Sequence, residues 1–271
     1  MASQQPTAQP GQSLAGKVAL VSGSSSGIGA AIARELSSRG ASLIINYPFA
    51  SEEASARVVL ASLATSSQSI IAEADLATLD GPKRLAAAVS ERFGRVDILV
   101  NNAGHSSFCD LSEATDDEVQ RAWDRTVNLN GRGTLLLTRA VLPILAASGS
   151  RIVNVGSSTS RDPDPHMSIY AGTKGMIEGF TRCWARDLPR QYGCTVNAVA
   201  PGPVGTEALL AAEGEGGGFM RTLQARKEQT PVAPRYATPQ EIAWMVAALC
   251  EEGASWVNGA IIPVTGGGTL W

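Results

Sequence analysis

Residues 17–36 constrain the fold of this chain more than any other stretch. Lys17–Ser22 (KVALVS) is a short apolar run that ends in a turn rich in glycine and serine. Beyond the turn, Ile28, Ile32 and Leu36 recur every fourth residue. The first pattern is that of a strand buried on both faces, the second that of a helix with one apolar stripe. Gly40 ends the helix, and Ala41–Asn46 (ASLIIN) reads as the next strand. The alternation then runs almost to the C-terminus. Helices are expected over 51–65, 79–93, 115–126, 131–147 and 168–191, with strands over 68–72, 97–100, 151–155 and 194–198. Residues 209–230, centred on Glu215-Gly-Gly-Gly218, read as irregular. Thr238 is the expected N-cap of a helix over 239–250, with Pro239 in its first position, and a strand near 260–264 closes the series.

Apolar strands alternating with helices imply an α/β fold, a single Rossmann-like doubly wound parallel sheet of about seven strands with helices on both faces. The 271 residues suit one domain over 14–271, with 205–235 as a substrate loop or lid. Residues 1–13 are polar and contain Pro and Gly; they read as a disordered tail without the features of a signal or transit peptide. A net charge of −3 with no basic block gives nucleic-acid binding no support. No run approaches the ~20 apolar residues of a membrane span. Four cysteines without CxxC spacing and only two histidines argue against a metal site and for reduced thiols in the cytoplasm.

In such sheets ligands bind beyond the carboxyl ends of the strands. After the first strand, Gly23, Gly27 and Gly29, with Ser25 and Ile28, form a turn whose amides can approach a phosphate at a helix N-terminus. After the second, no carboxylate precedes Glu52. An uncharged set, Asn46, Tyr47, Ser51 and Ser25, is expected there to accept a ribose 2′-phosphate, so NADP(H) is favoured over NAD(H). Asp75-Leu76 follows the third strand, and its carboxylate suits either the adenine amino group or a helix cap. Asn102, Ala103 and Gly104 follow the fourth and leave room for a flat cofactor. Ser157 follows the fifth, thirteen positions before Tyr170. Pro201, Gly202, Val204 and Thr206 follow the sixth, in a rigid turn placed to meet an amide and a phosphate. Tyr170 and Lys174 lie four residues apart and project from one face of a helix. A cation beside a phenol favours phenolate, which makes the tyrosine a usable proton donor and acceptor.

Together these motifs resemble the short-chain dehydrogenase/reductase family from about Gly16 to the C-terminus, with Ser22 where that family most often has threonine. The four-residue Tyr170–Lys174 spacing sets the chain apart from the family's enoyl-reductase type. The resemblance implies Tyr170 as general acid or base, Lys174 as depressor of the tyrosine pKa and holder of the nicotinamide ribose, and Ser157 as substrate hydrogen-bond partner. It also implies Asn128, in Val127-Asn-Leu-Asn-Gly131, as anchor of a water in a proton relay. Ile45-Asn-Tyr47 and Thr230-Pro-Val-Ala-Pro-Arg-Tyr resemble fungal NADPH-dependent reductases of polyketide-derived ketones, and also β-ketoacyl carrier-protein reductases. The resemblance thus implies a small-molecule ketone or secondary alcohol as substrate and a homotetramer or homodimer. A non-catalytic NADP(H)-sensing regulator is the alternative of a different class. Substrate choice is expected to lie in His105–Phe108, Arg161–Met167 and Leu209–Thr230.

Overall fold

The computed structural model describes residues 12–211 and 218–270. Its strands are β1 (Val18–Val21), β2 (Ser42–Tyr47), β3 (Ile70–Glu73), β4 (Ile98–Asn101), β5 (Ser150–Val155), β6 (Cys194–Pro201) and β7 (Ile261–Val264). They form one sheet in the order β3-β2-β1-β4-β5-β6-β7, every neighbour parallel. The chain runs outward from β1 to β3, then crosses back to start β4 on the other side of β1. That reversal opens a crevice beyond the carboxyl ends of β1 and β4.

The helices are α1 (Gly27–Ser38), α2 (Glu53–Ala61), α3 (Gly81–Phe93), α4 (Asp116–Val127), α5 (Thr134–Val141), α6 (Ser168–Asp187), α7 (Pro189–Tyr192), α8 (Glu207–Ala211), α9 (Gly218–Glu228) and α10 (Pro239–Cys250). Two cores separate them by face. Ile32 and Leu36 of α1, Val59 of α2 and Ile242 and Val246 of α10 pack with Ala19, Val21, Leu43 and Ile45. Leu85 and Val89 of α3 and Leu137 and Val141 of α5 pack with Leu20, Ile44, Leu99 and Ile152 on the opposite face. The alternation along β1 and β2 is the two-residue period of a strand feeding both layers.

Several expected boundaries differ. The helix expected over 131–147 stops at Val141; Pro143 lies in a 3-10 turn over Leu142–Ile144, because proline has no N–H and its ring crowds the preceding turn. The helix expected over 168–191 breaks before Pro189 for the same reason. Between α4 and α5 the chain does not leave the helix: Asn128–Gly133 form a π-helical turn. The segment expected to be irregular contains α8 and α9, the latter rich in helix formers (Met220, Leu223, Gln224, Ala225, Arg226, Lys227, Glu228). The triglycine centre of the expected lid falls mostly outside the described residues.

At α10 the expected start is observed. Thr238 accepts from the Glu241 N–H at 3.3 Å while Glu241 accepts from the Thr238 N–H at 2.8 Å. Most of the expected tail, residues 1–11, lies outside the described residues. Ser13 and Leu14 are held, the Ser13 hydroxyl donating to Glu251 at 2.6 Å and Leu14 being buried. Among the described residues no helix is long and apolar enough to cross a membrane.

Candidate active site

A cavity of about 1020 Å³ occupies the crevice. Gly23, Ser25, Gly27, Ile28 and Gly29 line it, as do Asn102, Ala103 and Gly104 from the turn after β4. The two turns are stapled together. Ser22 Oγ accepts the N–H groups of Asn102 (2.9 Å) and Ala103 (3.0 Å), while Asn102 Nδ2 donates to the carbonyls of Ser22 and Gly23, both at 2.9 Å. Glycine is required where they touch. A Cβ on Gly23 would lie 2.9 Å from Ala103 Cα. One on Gly29 would overlap the Gly23 carbonyl oxygen and lie 2.5 Å from Asn102 Nδ2. The two turns therefore pack backbone to backbone, with the glycines on the cavity wall.

At the end of β2 the structure departs from expectation. Asn46 lines the cavity, but its side chain is spent on backbone. Its Oδ1 accepts the Gly23 N–H at 3.0 Å, and its Nδ2 faces the carbonyls of Tyr47, Ala72 and Ala74 at 3.1–3.3 Å. Tyr47 points to the other side of the sheet, is buried in the core, and does not line the cavity. Ser51 is exposed and also lies off the wall. Pro48, Phe49 and Glu52 stand there instead, and Ser25 donates to Glu52 Oε2 at 2.7 Å. The uncharged donor set is thus reduced to Ser25, and Ser25 is engaged by a carboxylate. Asp75 and Leu76 line the wall as expected. Asp75 Oδ1 braces its own turn by accepting the Ala77 N–H at 2.9 Å, while the N-cap of α3 is Asp80.

Tyr170, Lys174 and Ser157 converge on the cavity where β5 ends beside α6. Lys174 is buried, and its Nζ donates to the Val155 carbonyl at 2.8 Å, 5.6 Å from the Tyr170 ring centre. Burial lowers its pKa from 10.5 to about 8. Burial also raises the Tyr170 pKa, against a smaller lowering by its hydrogen bond with Ser157. The lysine's own proton is directed at the Val155 carbonyl. Asn128 does not line the cavity. Two positions along a helical turn lead to roughly the opposite face, and it is buried Asn130 that braces this end. Asn130 Oδ1 accepts from the His105 N–H at 2.8 Å, and Nδ2 donates to the His105 carbonyl (2.9 Å) and to Thr173 Oγ1 (3.0 Å). It thereby ties the Gly104–His105 turn to α6. Pro201, Gly202, Val204 and Thr206 close the wall after β6.

A family model described as Enoyl-(Acyl carrier protein) reductase matches residues 23–269. The chain is 39% identical to short-chain dehydrogenase/reductase FrzI of Cladobotryum sp, over 95% of this chain and 98% of that protein. The chain belongs to the short-chain dehydrogenase/reductase family. It is also 37% identical to versicolorin reductase 1 of Dothistroma septosporum, over 94% of this chain and 96% of that protein. A short chain dehydrogenase from Burkholderia cenocepacia J2315, solved in complex with NADP, superposes with a TM-score of 0.81 at 34% identity, over 94% of this chain and 98% of that one. The family description speaks of enoyl reductases, the type from which the Tyr170–Lys174 spacing set the chain apart.

On the substrate side, this short-chain dehydrogenase/reductase lines its cavity with His105, Ser106, Asp164, Met167, Leu209 and Leu223. Ser107 is buried off the wall, and Phe108 packs against His166 with ring centres 5.1 Å apart. His105 is held below its ordinary pKa by burial and by the charge of Arg125, and so is neutral at pH 7. His166 lies off the wall with its Nδ1 3.3 Å from the Asp110 carboxylate. Arg226 of α9 pairs with Asp162 and Asp164, each at 2.7 Å, and so ties α9 to the loop before α6.

Glu178, on the same helix as Tyr170, is buried and accepts from Ser160 (2.6 Å), Arg161 (2.7 Å) and Arg182 (3.1 Å). Burial alone would raise its pKa; the hydrogen bonds from Arg161, Ser160 and Arg182 outweigh it and bring it from 4.5 to about 2. A depressed carboxylate stabilises the fold above its unfolded pKa, and that stability is lost as pH falls through the folded one. The stability advantage of the parent over Glu178→Gln is therefore expected to be full above about pH 5 and to shrink from there toward pH 2. Urea midpoints at pH 7, 4 and 3 measure it; an unchanged difference at pH 3 would show that the ionised carboxylate is not what holds the turn after Ser157.

Proposed function

We propose that this chain is an NADP(H)-dependent carbonyl reductase acting on a polyketide-type ketone. The observation that carries the reading is that Tyr170, Ser157 and Lys174 line the same cavity as the Gly23–Gly29 turn at the start of α1. A glycine turn that lines the cavity at the start of α1 fits a pyrophosphate. In this reading the Gly23–Gly29 turn holds the phosphates, Asp75 and Leu76 the adenine, and Asn102–Gly104 the path between. Lys174 takes the nicotinamide ribose, and Pro201, Gly202, Val204 and Thr206 the carboxamide side. A bound nicotinamide supplies the hydride.

The residues supply positioning and protons. Tyr170, whose phenol carries its proton at neutral pH, donates to the carbonyl oxygen as charge develops there. Ser157 donates a second hydrogen bond to the same oxygen. The water-anchoring part that the resemblance gave to Asn128 passes to Asn130. NADP in the Burkholderia relative supports the phosphorylated cofactor. Glu52 must then yield Ser25 to the 2′-phosphate. A wall of Met167, Leu209 and Leu223 interspersed with the hydroxyls of Ser106 and Thr159 supports a flat, hydroxylated ketone, and the name of versicolorin reductase 1 supports reduction as the reaction. A cytoplasmic homotetramer or homodimer is the accompanying proposal.

Two measurements test this. NADPH oxidation is followed with hydroxylated aromatic ketones, simple cyclic ketones and β-ketoacyl thioesters, the first class being expected to turn over fastest; turnover confined to thioesters would replace the substrate reading. Fluorescence titration is expected to show tighter binding of NADPH than of NADH, and the reverse order would overturn the cofactor preference.

A further inference from the structure

We propose that Thr159 is a positioning residue that sets the direction of the Ser157 proton, and with it the strength of the hydrogen bond offered to the substrate oxygen. The inference rests on the reading of Ser157 given above. Ser157 is buried, and its hydroxyl donates to Thr159 Oγ1 at 3.0 Å. The same oxygen accepts the Thr159 N–H at 3.1 Å and is hydrogen-bonded to Tyr170. A hydroxyl has one proton and two lone pairs. Those contacts use all three: the resting chain of donors runs Tyr170 to Ser157 to Thr159, away from the place of the substrate oxygen.

For Ser157 to serve a substrate carbonyl, that order must reverse. The Tyr170 proton turns to the carbonyl and frees a lone pair on Ser157 Oγ. The Ser157 proton turns the same way and releases Thr159 Oγ1. The Thr159 hydroxyl, which also lines the cavity, then shifts slightly about its own Cα–Cβ bond and donates into the freed lone pair, since in the resting geometry Ser157 is the donor. No proton changes its oxygen; three O–H bonds rotate, and each lost hydrogen bond is replaced. With the Thr159 N–H and O–H both directed at Ser157 Oγ, the Ser157 hydroxyl is polarised toward the substrate. The gain is greatest when negative charge builds on that oxygen, so the effect belongs in kcat more than in KM.

The test is a double-mutant cycle with the parent, Thr159→Val, Ser157→Ala and the double variant, assayed with NADPH and the best ketone from the screen. Thr159→Ala serves as a second hydroxyl-free variant should valine not fold. Loss of the Thr159 hydroxyl is expected to lower kcat about tenfold with KM changed less than about twofold, and Thr159→Ser to restore most of it. On the Ser157→Ala background the same substitution is expected to change the residual rate by less than about twofold. Additive losses would overturn the proposal, as would equal losses in Thr159→Val and Thr159→Ser, which would place the effect in packing. A Ser157→Ala enzyme with the parent's rate would instead remove Ser157 from the mechanism, an outcome distinct from failure of the Thr159 arm alone.

Discussion

Tyr170→Phe is expected to lower kcat by about 10³-fold or more while leaving NADPH affinity within about twofold of the parent. Phenylalanine keeps the ring in place and removes one hydroxyl. The loss to the resting fold is small, since that hydroxyl's hydrogen-bond partner, Ser157, keeps both contacts with Thr159. Lys174 is held by the Val155 carbonyl and does not depend on the phenol. What disappears on the proposed reading is the proton donor to the carbonyl oxygen, and among the described residues neither Ser157 nor His105 replaces it. Ser157 has a far higher intrinsic pKa, and His105 is held neutral by burial and by Arg125. Single-turnover hydride transfer in the variant, beside a fluorescence titration, separates chemistry from binding. Parent-like turnover would mean that another group is the acid. Loss of both rate and binding would mean that the ring, not the hydroxyl, carries the site. The same pair of measurements bears on the non-catalytic alternative, for which binding would persist and the parent itself would show no turnover.

The parts of this site that were legible in the sequence are those fixed by local geometry. A glycine turn between an apolar run and an amphipathic helix has few backbone solutions, and Tyr170 and Lys174 must share a face once they lie on a helix. The sheet was legible as a class, because apolar strands alternating with helices leave little besides a parallel one. The misreadings arose where contacts distant in sequence decide. Asn46 looks like a free donor at a strand end until the Gly23 N–H, twenty-three residues away, claims its oxygen. Glu52 joins the wall only because the 3-10 turn over Ala50–Glu52 brings it to Ser25, twenty-seven residues back. Asn128 and Asn130 are equivalent by composition; a π-helical turn decides which of them faces His105, and no local pattern announces that turn. Pro143 and Pro189 are different: each marks its helix end locally, and the apolar periodicity running past them does not outweigh the missing N–H.

The expected consequence of Gly29→Ala follows from how the two cofactor turns are joined. A methyl group there meets the Gly23 carbonyl and the Asn102 amide, which are hydrogen-bonded to each other at 2.9 Å. Neither is the free end of a flexible chain. The Gly23 carbonyl is fixed by a backbone whose own N–H is held by Asn46, and the Asn102 amide also holds the Ser22 carbonyl. Relief therefore requires the β1 turn to part from the β4 turn on the cavity wall. Overpacking of this kind costs about 1–3 kcal/mol of stability. The larger effect is on binding, because several amides lose their common aim at once, and NADPH affinity is expected to fall about a hundredfold or more. Gly175→Ala on α6 is the matched control, since a Cβ there meets no other atom within 4 Å and alanine suits a helix interior. Titration of both variants with NADPH, beside urea unfolding, decides the matter. If Gly29→Ala bound the cofactor as tightly as Gly175→Ala does, the glycine turn would not be the phosphate cradle, and the cofactor would have to approach the sheet from elsewhere.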